Sequence, residues 1–161
     1  MDFSFNPQLQ IFFQLLLATF LGLLIGLERE YKRKEAGMRT FALVCLGAAL
    51  FTILGFETFQ KVIGKTGISF DPSRVIQAVV MGIGFLGAGL IIFRQSHLEG
   101  LTTAAGLWLV AAIGIAVGIK LYFIAIFTSL LAIGILSGVR LIEEKILGTK
   151  PTKDRPEDDP R

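Results

Sequence analysis

Long stretches of this chain have no charge at all. Residues 75–93 contain no Asp, Glu, Lys or Arg, and residues 3–27, 40–56, 100–119 and 121–139 are equally bare. A water-soluble fold is excluded by that pattern together with 53% apolar residues and a mean hydropathy of +0.67, since soluble domains hold about 45–50% apolar residues even with glycine counted. Ionisable side chains are missing from the middle of every run, where proton relays and ion pathways place carboxylates or His. This argues against a proton-coupled transporter and an intramembrane hydrolase. No base accompanies the Ser and Thr residues of the runs, so no enzyme is expected.

Cysteine and histidine are nearly absent. Cys45 is the single cysteine, so no internal disulfide can form, and inside an apolar run it reads as a small buried hydrophobe. His97 is the lone histidine and sits in a short polar loop. Metal sites need several ligands, so neither a metal nor a cofactor is expected. The first residues lack the positive n-region of a signal peptide.

What is present is five apolar runs and abundant glycine. Residues 75–93 hold GIGFLGAG, with Gly82, Gly84, Gly87 and Gly89. Each glycine costs a helix in water about 1 kcal/mol relative to alanine, whereas in lipid small residues let two backbones approach closely. At 1.5 Å per residue such a run crosses about 30 Å of hydrocarbon. The predicted fold is all-α: a polytopic bundle of five spans filling residues 1–147. The second run extends through Phe59, and a tight turn or a re-entrant break at residues 118–122 separates the fourth from the fifth. The tail at 148–161 holds three prolines and eight charges and should be disordered.

Twelve of the Lys and Arg residues fall on one side of these spans, including Arg29, Lys32, Arg33, Lys34, Arg39 and Arg94. Lys61, Lys65, Arg74 and Lys120 fall on the other. The richer side is cytoplasmic by the positive-inside rule, which puts the N-terminus outside and the C-terminus inside.

Small residues recur four apart, which places them on one helix face. Gly22 and Gly26 do so in the first span, Ala78 and Gly82 in the third, Gly114 and Gly118 in the fourth, and Gly134 and Gly138 in the fifth. They suit packing within one subunit or a homodimer. Trp108 lies in the body of the fourth span and is expected to fill space against the glycine faces. GIGFLG also matches GxGxxG, but it lies inside a membrane-length run with no acid about 20 residues on, so the dinucleotide reading fails.

The chain also repeats. Residues 37–55 and 100–118 align without gaps at an offset of 63, with seven of nineteen positions identical. Two-helix units at about 9–59 and 72–119 would then run in the same direction about an axis along the membrane normal.

Polar groups gather at the rims. Glu28, Arg29 and Glu30 end the first span, and Glu28/Lys32 and Glu30/Lys34 have the i,i+4 spacing of paired charges. Gly37 is expected to permit the turn that follows. Thr40 can cap the second span, and Thr102 or Thr103 the fourth. Both helix starts face the cytoplasm, where free N–H groups suit an anion. With Arg29, Arg39 and Arg94 nearby, the reading is either ordinary capping with attraction to anionic lipid heads or a pocket for a phosphate-like anion or acidic partner. On the outer rim Asp71-Pro72 opens the third span as cap and first helical residue, with Arg74 beside it.

Five blocks carry a family resemblance: GLLIGLERE (22–30), AGMRTFALVCLGAALF (36–51), DPSR (71–74), GIGFLGAGLI (82–91) and GLTTAAGLW…AAIG (100–114). In this order they resemble the MgtC/SapB family of bacterial inner-membrane proteins, in a short form without the C-terminal ACT-like domain. GIKLY departs from the family pattern, with Lys120 where a glycine is usual. The resemblance implies a multi-pass inner-membrane protein linked to magnesium or phosphate homeostasis and to virulence. It further implies action through another membrane protein such as the F-type ATP synthase or a transporter. The positions carried over are Glu28, Arg29, Arg39, Thr40, Asp71, Arg74, Thr102 and Thr103. The expected partners are the lipid bilayer, a second copy of the chain and that membrane protein, with no nucleic acid. An ion transporter or channel is the alternative.

Overall fold

The computed structural model describes residues 6–62, 71–94 and 97–139. The expected tail at 148–161 and the expected helical continuation at 140–147 lie outside the described residues. The five helices are α1 (Pro7–Tyr31), α2 (Met38–Val62), α3 (Ser73–Leu90), α4 (Leu101–Gly118) and α5 (Tyr122–Gly134), the last running on into a π turn at Ile135–Val139. α1 to α4 are each long and apolar enough to cross a membrane.

Helix starts follow from local chemistry. Asn6 accepts a hydrogen bond from the Gln8 N–H at 3.2 Å ahead of Pro7, a cap followed by the residue best suited to the first helical position. Asp71 accepts from the N–H of Ser73, the first residue of α3, at 2.9 Å; Pro72 takes the cap position itself, so the expected capping bond forms with the helix starting one residue later.

Two helix ends share one device. At the end of α1 the Lys34 N–H bonds the Arg29 carbonyl and the Arg33 N–H bonds that of Glu30. At the end of α4 the Leu121 N–H reaches Ala116 and the Lys120 N–H reaches Val117. This is the Schellman pattern, which needs a left-handed residue just past the cap. Arg33 (φ 50°) and Lys120 (φ 67°) fill that position, where glycine is the usual residue. The turn after α1 is therefore made by Arg33 and not by Gly37. Gly37 serves another purpose, since a Cβ there would lie 2.6 Å from the Glu30 carboxylate.

Between α3 and α4 the expected polar loop is an antiparallel hairpin of β1 (Ile92–Arg94) and β2 (His97–Glu99), in register Ile92↔Glu99 and Arg94↔His97. α3 stops at Leu90, three residues short of the apolar run. Gly100 closes the hairpin with φ +84°, and a Cβ there would meet the Leu90 carbonyl oxygen at 2.1 Å. Only glycine fits both constraints.

α1, α2 and α4 enclose the core. Ala18, Leu21 and Ile25 meet Phe41, Cys45 and Ala49, and Leu107, Val110 and Ile113 close the third side. α3 lies on α4 through Ile83, which packs with Ala48, Ala111 and Ile115. Trp108 is 52% exposed and does not fill space against the glycine faces. The core-facing positions beside it belong to Leu107, Val110 and Ala111, which leaves Trp108 on the outer side of α4.

Side-chain bonds fix the depth of α5. Gln14, near the start of α1, donates to the carbonyls of Val117 and Gly118 at 2.9 and 3.2 Å. At the other end of α1, Lys32 donates to the Leu136 carbonyl at 2.9 Å. The chain from Lys120 to Leu136 thus runs alongside the part of α1 between Gln14 and Lys32, and the turn between α4 and α5 takes only three residues, 119–121.

Candidate functional site

The ends of α1 and α5 and the starts of α2 and α4 meet at one rim of the bundle. Glu28 is its centre. One carboxylate oxygen pairs with the Arg29 Nε at 2.5 Å, and the other pairs with the Lys32 ammonium. The Ser137 hydroxyl donates to that second oxygen at 3.4 Å. Lys32 therefore ties the Glu28 carboxylate to the carbonyl of Leu136 in the π turn. The expected Glu28/Lys32 pair forms.

Arg29 is 3% exposed. A guanidinium at that depth needs a carboxylate, because an unpaired buried charge costs several kcal/mol. Its neighbour in sequence supplies one.

Glu30 does not pair with Lys34. It accepts the Met38 backbone N–H at 2.9 Å and so caps α2 from eight residues away. Thr40 consequently falls inside the first turn of α2 and, like Arg39, is exposed. Thr103 is likewise inside its helix rather than at the cap, which is Gly100. Buried to 1% exposure, it donates its hydroxyl to Glu35 at 2.6 Å. That bond is the main reason the Glu35 carboxyl is held below its ordinary range, because a donor favours the charged form. Thr102 is exposed. Arg94 lies on β1 opposite His97, and its side chain lies outside the described residues.

The two helix starts that sequence reasoning offered to an outside anion thus have internal carboxylates beside them. Glu30 serves the start of α2, and Glu35 serves the first turn of α4. Spacing rules missed both, because each acts across a turn rather than along one helix face. Gln14 was missed too, though an amide within a charge-free run is a visible signal of a buried polar contact.

At the opposite rim Asp71 and Arg74 stand at the start of α3, both exposed. The Asp71 carboxyl is also held below its ordinary range, chiefly by its bonds from Ser73. Among the described residues, no three His, Cys, Asp or Glu side chains gather where they could hold a metal ion.

The expected packing glycines divide. A Cβ on Gly22 would lie 2.7 Å from the Phe41 carbonyl oxygen, on Gly26 2.6 Å from the Met38 Cα, on Gly114 2.3 Å from the Cys45 carbonyl oxygen, and on Gly118 2.8 Å from the Thr52 Cβ. Gly87 makes ordinary contact with Ala104 at 3.6 Å, while Gly82, Gly84 and Gly89 meet nothing within 4 Å. Among the described residues, no neighbouring helix packs closely on those three.

YhiD of Escherichia coli (strain K12) is 41% identical over 123 residues, covering 76% of this chain and 57% of its own length. SrpB of Synechococcus elongatus is 37% identical over 158 residues, covering 89% of this chain and 84% of SrpB. MgtC of Salmonella typhimurium (strain LT2) is 43% identical over 105 residues, covering 65% of this chain and 42% of MgtC. The chain thus spans little more than half of YhiD and less than half of MgtC. No solved structure matches it. The MgtC family model matches residues 15–145, a range that takes in the Glu28 rim, the Asp71 rim and the glycines of every helix, and on this match the chain belongs to the MgtC family.

Proposed function

We propose that this chain is a small regulatory or interaction protein of the bacterial inner membrane, tied to magnesium or phosphate homeostasis, and neither an enzyme nor itself a conduit. The magnesium link is drawn from the family and from YhiD, whose provisional name is that of a magnesium transporter.

One observation carries the reading. The space between α1, α2 and α4 is filled by apolar side chains. The buried hydroxyls of Thr52 and Ser129 are turned onto carbonyls of their own helices at 2.8 Å. A hydrated ion has no polar lining to follow through such a core. The exposed Arg39, Thr40 and Thr102 are left for a partner at the Glu28 rim, while Glu28 and Arg29 hold that rim in shape. The partner is a membrane protein such as an ATP synthase or a transporter. Homo-oligomers form through the open small faces at Gly84 and Gly134. The chain crosses five times, with the Asp71 rim outside and the Glu28 rim in the cytoplasm.

The test is magnesium entry into liposomes holding only the purified protein and an internal indicator. Entry equal to that of empty liposomes is expected, together with co-purification of a membrane enzyme from cells. Entry that scales with protein content overturns the reading in favour of a conduit built between copies, which the YhiD name favours. Thiol labelling of single cysteines placed at Arg39 and Lys120 checks the orientation.

A further inference from the structure

α2 and α3 come together at Gly55 and Val75, where a Cβ on the glycine would lie 2.7 Å from the valine side chain, and beside that contact they leave a groove of about 870 Å³. Its walls include Leu43, Gly47 and Phe51 of α2 and Ala78, Gly82 and Leu86 of α3, and its mouth is lined by Asp71 and Arg74. The glycines help make the space, since a Cβ on Gly47 or Gly82 would meet nothing within 4 Å. A volume of this size lies within the range of small-molecule sites. In a bilayer an apolar groove open to lipid fills with hydrocarbon, since water gains nothing from such walls. The groove is therefore shaped for acyl chain, and the question is which headgroup sits above it.

The two charges at the mouth answer that by their order. α3 enters the membrane from the Asp71 rim, so Asp71 stands outermost. Arg74 follows three residues deeper, about 4.5 Å along the axis at 1.5 Å per residue. A zwitterionic phospholipid presents its charges in the matching order, ammonium outermost and phosphate beneath it. One Asp71 oxygen accepts the Ser73 N–H. The Ser73 side chain also bonds this carboxylate, and the charge of Arg74 acts on it; both side chains are exposed, and among the described residues Arg74 forms no close ion pair. The start of α3 adds partial positive charge at the depth of the phosphate.

We propose that the α2–α3 groove binds a phospholipid of the phosphatidylethanolamine class. An acyl chain lies against Gly47 and Gly82, the phosphate meets Arg74, and the primary ammonium meets Asp71. An N–H donor on the headgroup is what Asp71 reads, so a phosphatidylglycerol headgroup of the same chain length binds more weakly.

Native mass spectrometry of the full chain in detergent, titrated with phosphatidylethanolamine or phosphatidylglycerol of identical acyl chains, tests this. The ethanolamine lipid is expected to bind about three- to five-fold more tightly, the size of one exposed ion pair. D71N keeps a good helix cap and is expected to abolish the preference while still binding both lipids. Gly82→Leu projects bulk into the groove from a position where an added Cβ meets nothing within 4 Å and is expected to weaken both. Equal binding of the two lipids by the wild type overturns the headgroup assignment. Unchanged lipid binding by Gly82→Leu overturns the groove itself. Conversion of a dimer to a monomer by that variant, with lipid binding intact, identifies the groove as the seat of a second copy instead.

Discussion

Gly114 and Gly82 are the same residue in the same kind of apolar helix, and the molecule uses them in opposite ways. At Gly114 the α4 backbone lies against α2 so closely that a Cβ would sit 2.3 Å from the Cys45 carbonyl oxygen, while at Gly82 it would meet nothing within 4 Å. The contrast extends to whole helices, since much of α4 and little of α3 is buried inside the chain. Glycine on the α1–α2–α4 side brings backbones together, where dispersion contacts replace the missing hydrophobic drive between helices in lipid. Along α3, Gly82, Gly84 and Gly89 leave a surface that no described residue covers.

The two kinds of glycine should respond most differently to the same added side chain. Gly114→Leu must push α4 off the Cys45 carbonyl and the Ala48 side chain, which lies 2.9 Å from the virtual Cβ. A loss of about 3 kcal/mol or more is expected, at the upper end of overpacking, seen as little folded protein in detergent. Gly84→Leu is expected to stay within about 0.5 kcal/mol of wild type. Equal damage at both positions would mean that α3 is covered in the native assembly as tightly as α4 is within the chain.

A second contrast lies within the Glu28 rim. Glu28 is 11% exposed and faces the 3%-exposed Arg29 on one side and Lys32 on the other. Glu28→Ala leaves the buried guanidinium without its carboxylate and is expected to cost about 3 kcal/mol, read as a drop in the midpoint of thermal unfolding. Lys32→Ala removes a more exposed partner and should cost below about 1 kcal/mol. Similar costs would show that Arg29 finds a second acceptor once Glu28 is gone.

These contrasts also separate what the sequence discloses from what it hides. Charge-free runs located all five helices to within a few residues, because length and the absence of charge are one-dimensional properties. The Glu28/Lys32 pair and the Asp71 capping bond followed from spacing rules that act within a single turn. The Glu30 cap did not, because Glu30 reaches Met38 over a turn made by Arg33, and no local pattern announces a left-handed arginine. Spacing alone treated the glycine stripes alike, since Gly22 and Gly82 each have an alanine four residues before them, Ala18 and Ala78. Which stripe is covered depends on where α3 lies relative to α2, a tertiary fact. Trp108 was misplaced for a related reason: aromatic bulk says nothing about which side of α4 meets the core.

Lys120 offers a smaller effect of opposite sign. Its φ of 67° costs a side-chain-bearing residue about 1 kcal/mol or somewhat more, and its 3.4 Å contact with Gln10 is exposed and returns little. Lys120→Gly is expected to raise stability by up to about 1 kcal/mol without altering the turn, measured as a higher unfolding midpoint. A fall would show that the Lys120–Gln10 contact outweighs the backbone strain.

The smallest expected effect is the pH dependence that Glu35 contributes on the packed side. Thr103 on α4 holds the Glu35 carboxylate at 2.6 Å, and that donor keeps the folded carboxyl below its ordinary range. In the unfolded chain Glu35 titrates near an ordinary pKa of about 4.3. Between that value and the lower folded one the unfolded state holds more protons, so stability rises with pH across that window. The contribution is complete above the unfolded value and disappears as the pH falls through the folded one. Glu35 is largely exposed, so solvent screening keeps the effect below about 1 kcal/mol. Comparing wild type with Glu35→Gln removes every other titrating group, Asp71 included, from the difference. The unfolding midpoint of wild type should exceed that of Glu35→Gln by a constant amount above about pH 5, and the gap should close on acidification. In a Thr103→Val background the gap should be small and flat at every pH, because the group that favours the ionised carboxyl is gone. A gap that widens toward acid would mean that Glu35 is held in its protonated form, and the hydrogen bond would then have to run from Glu35 to Thr103.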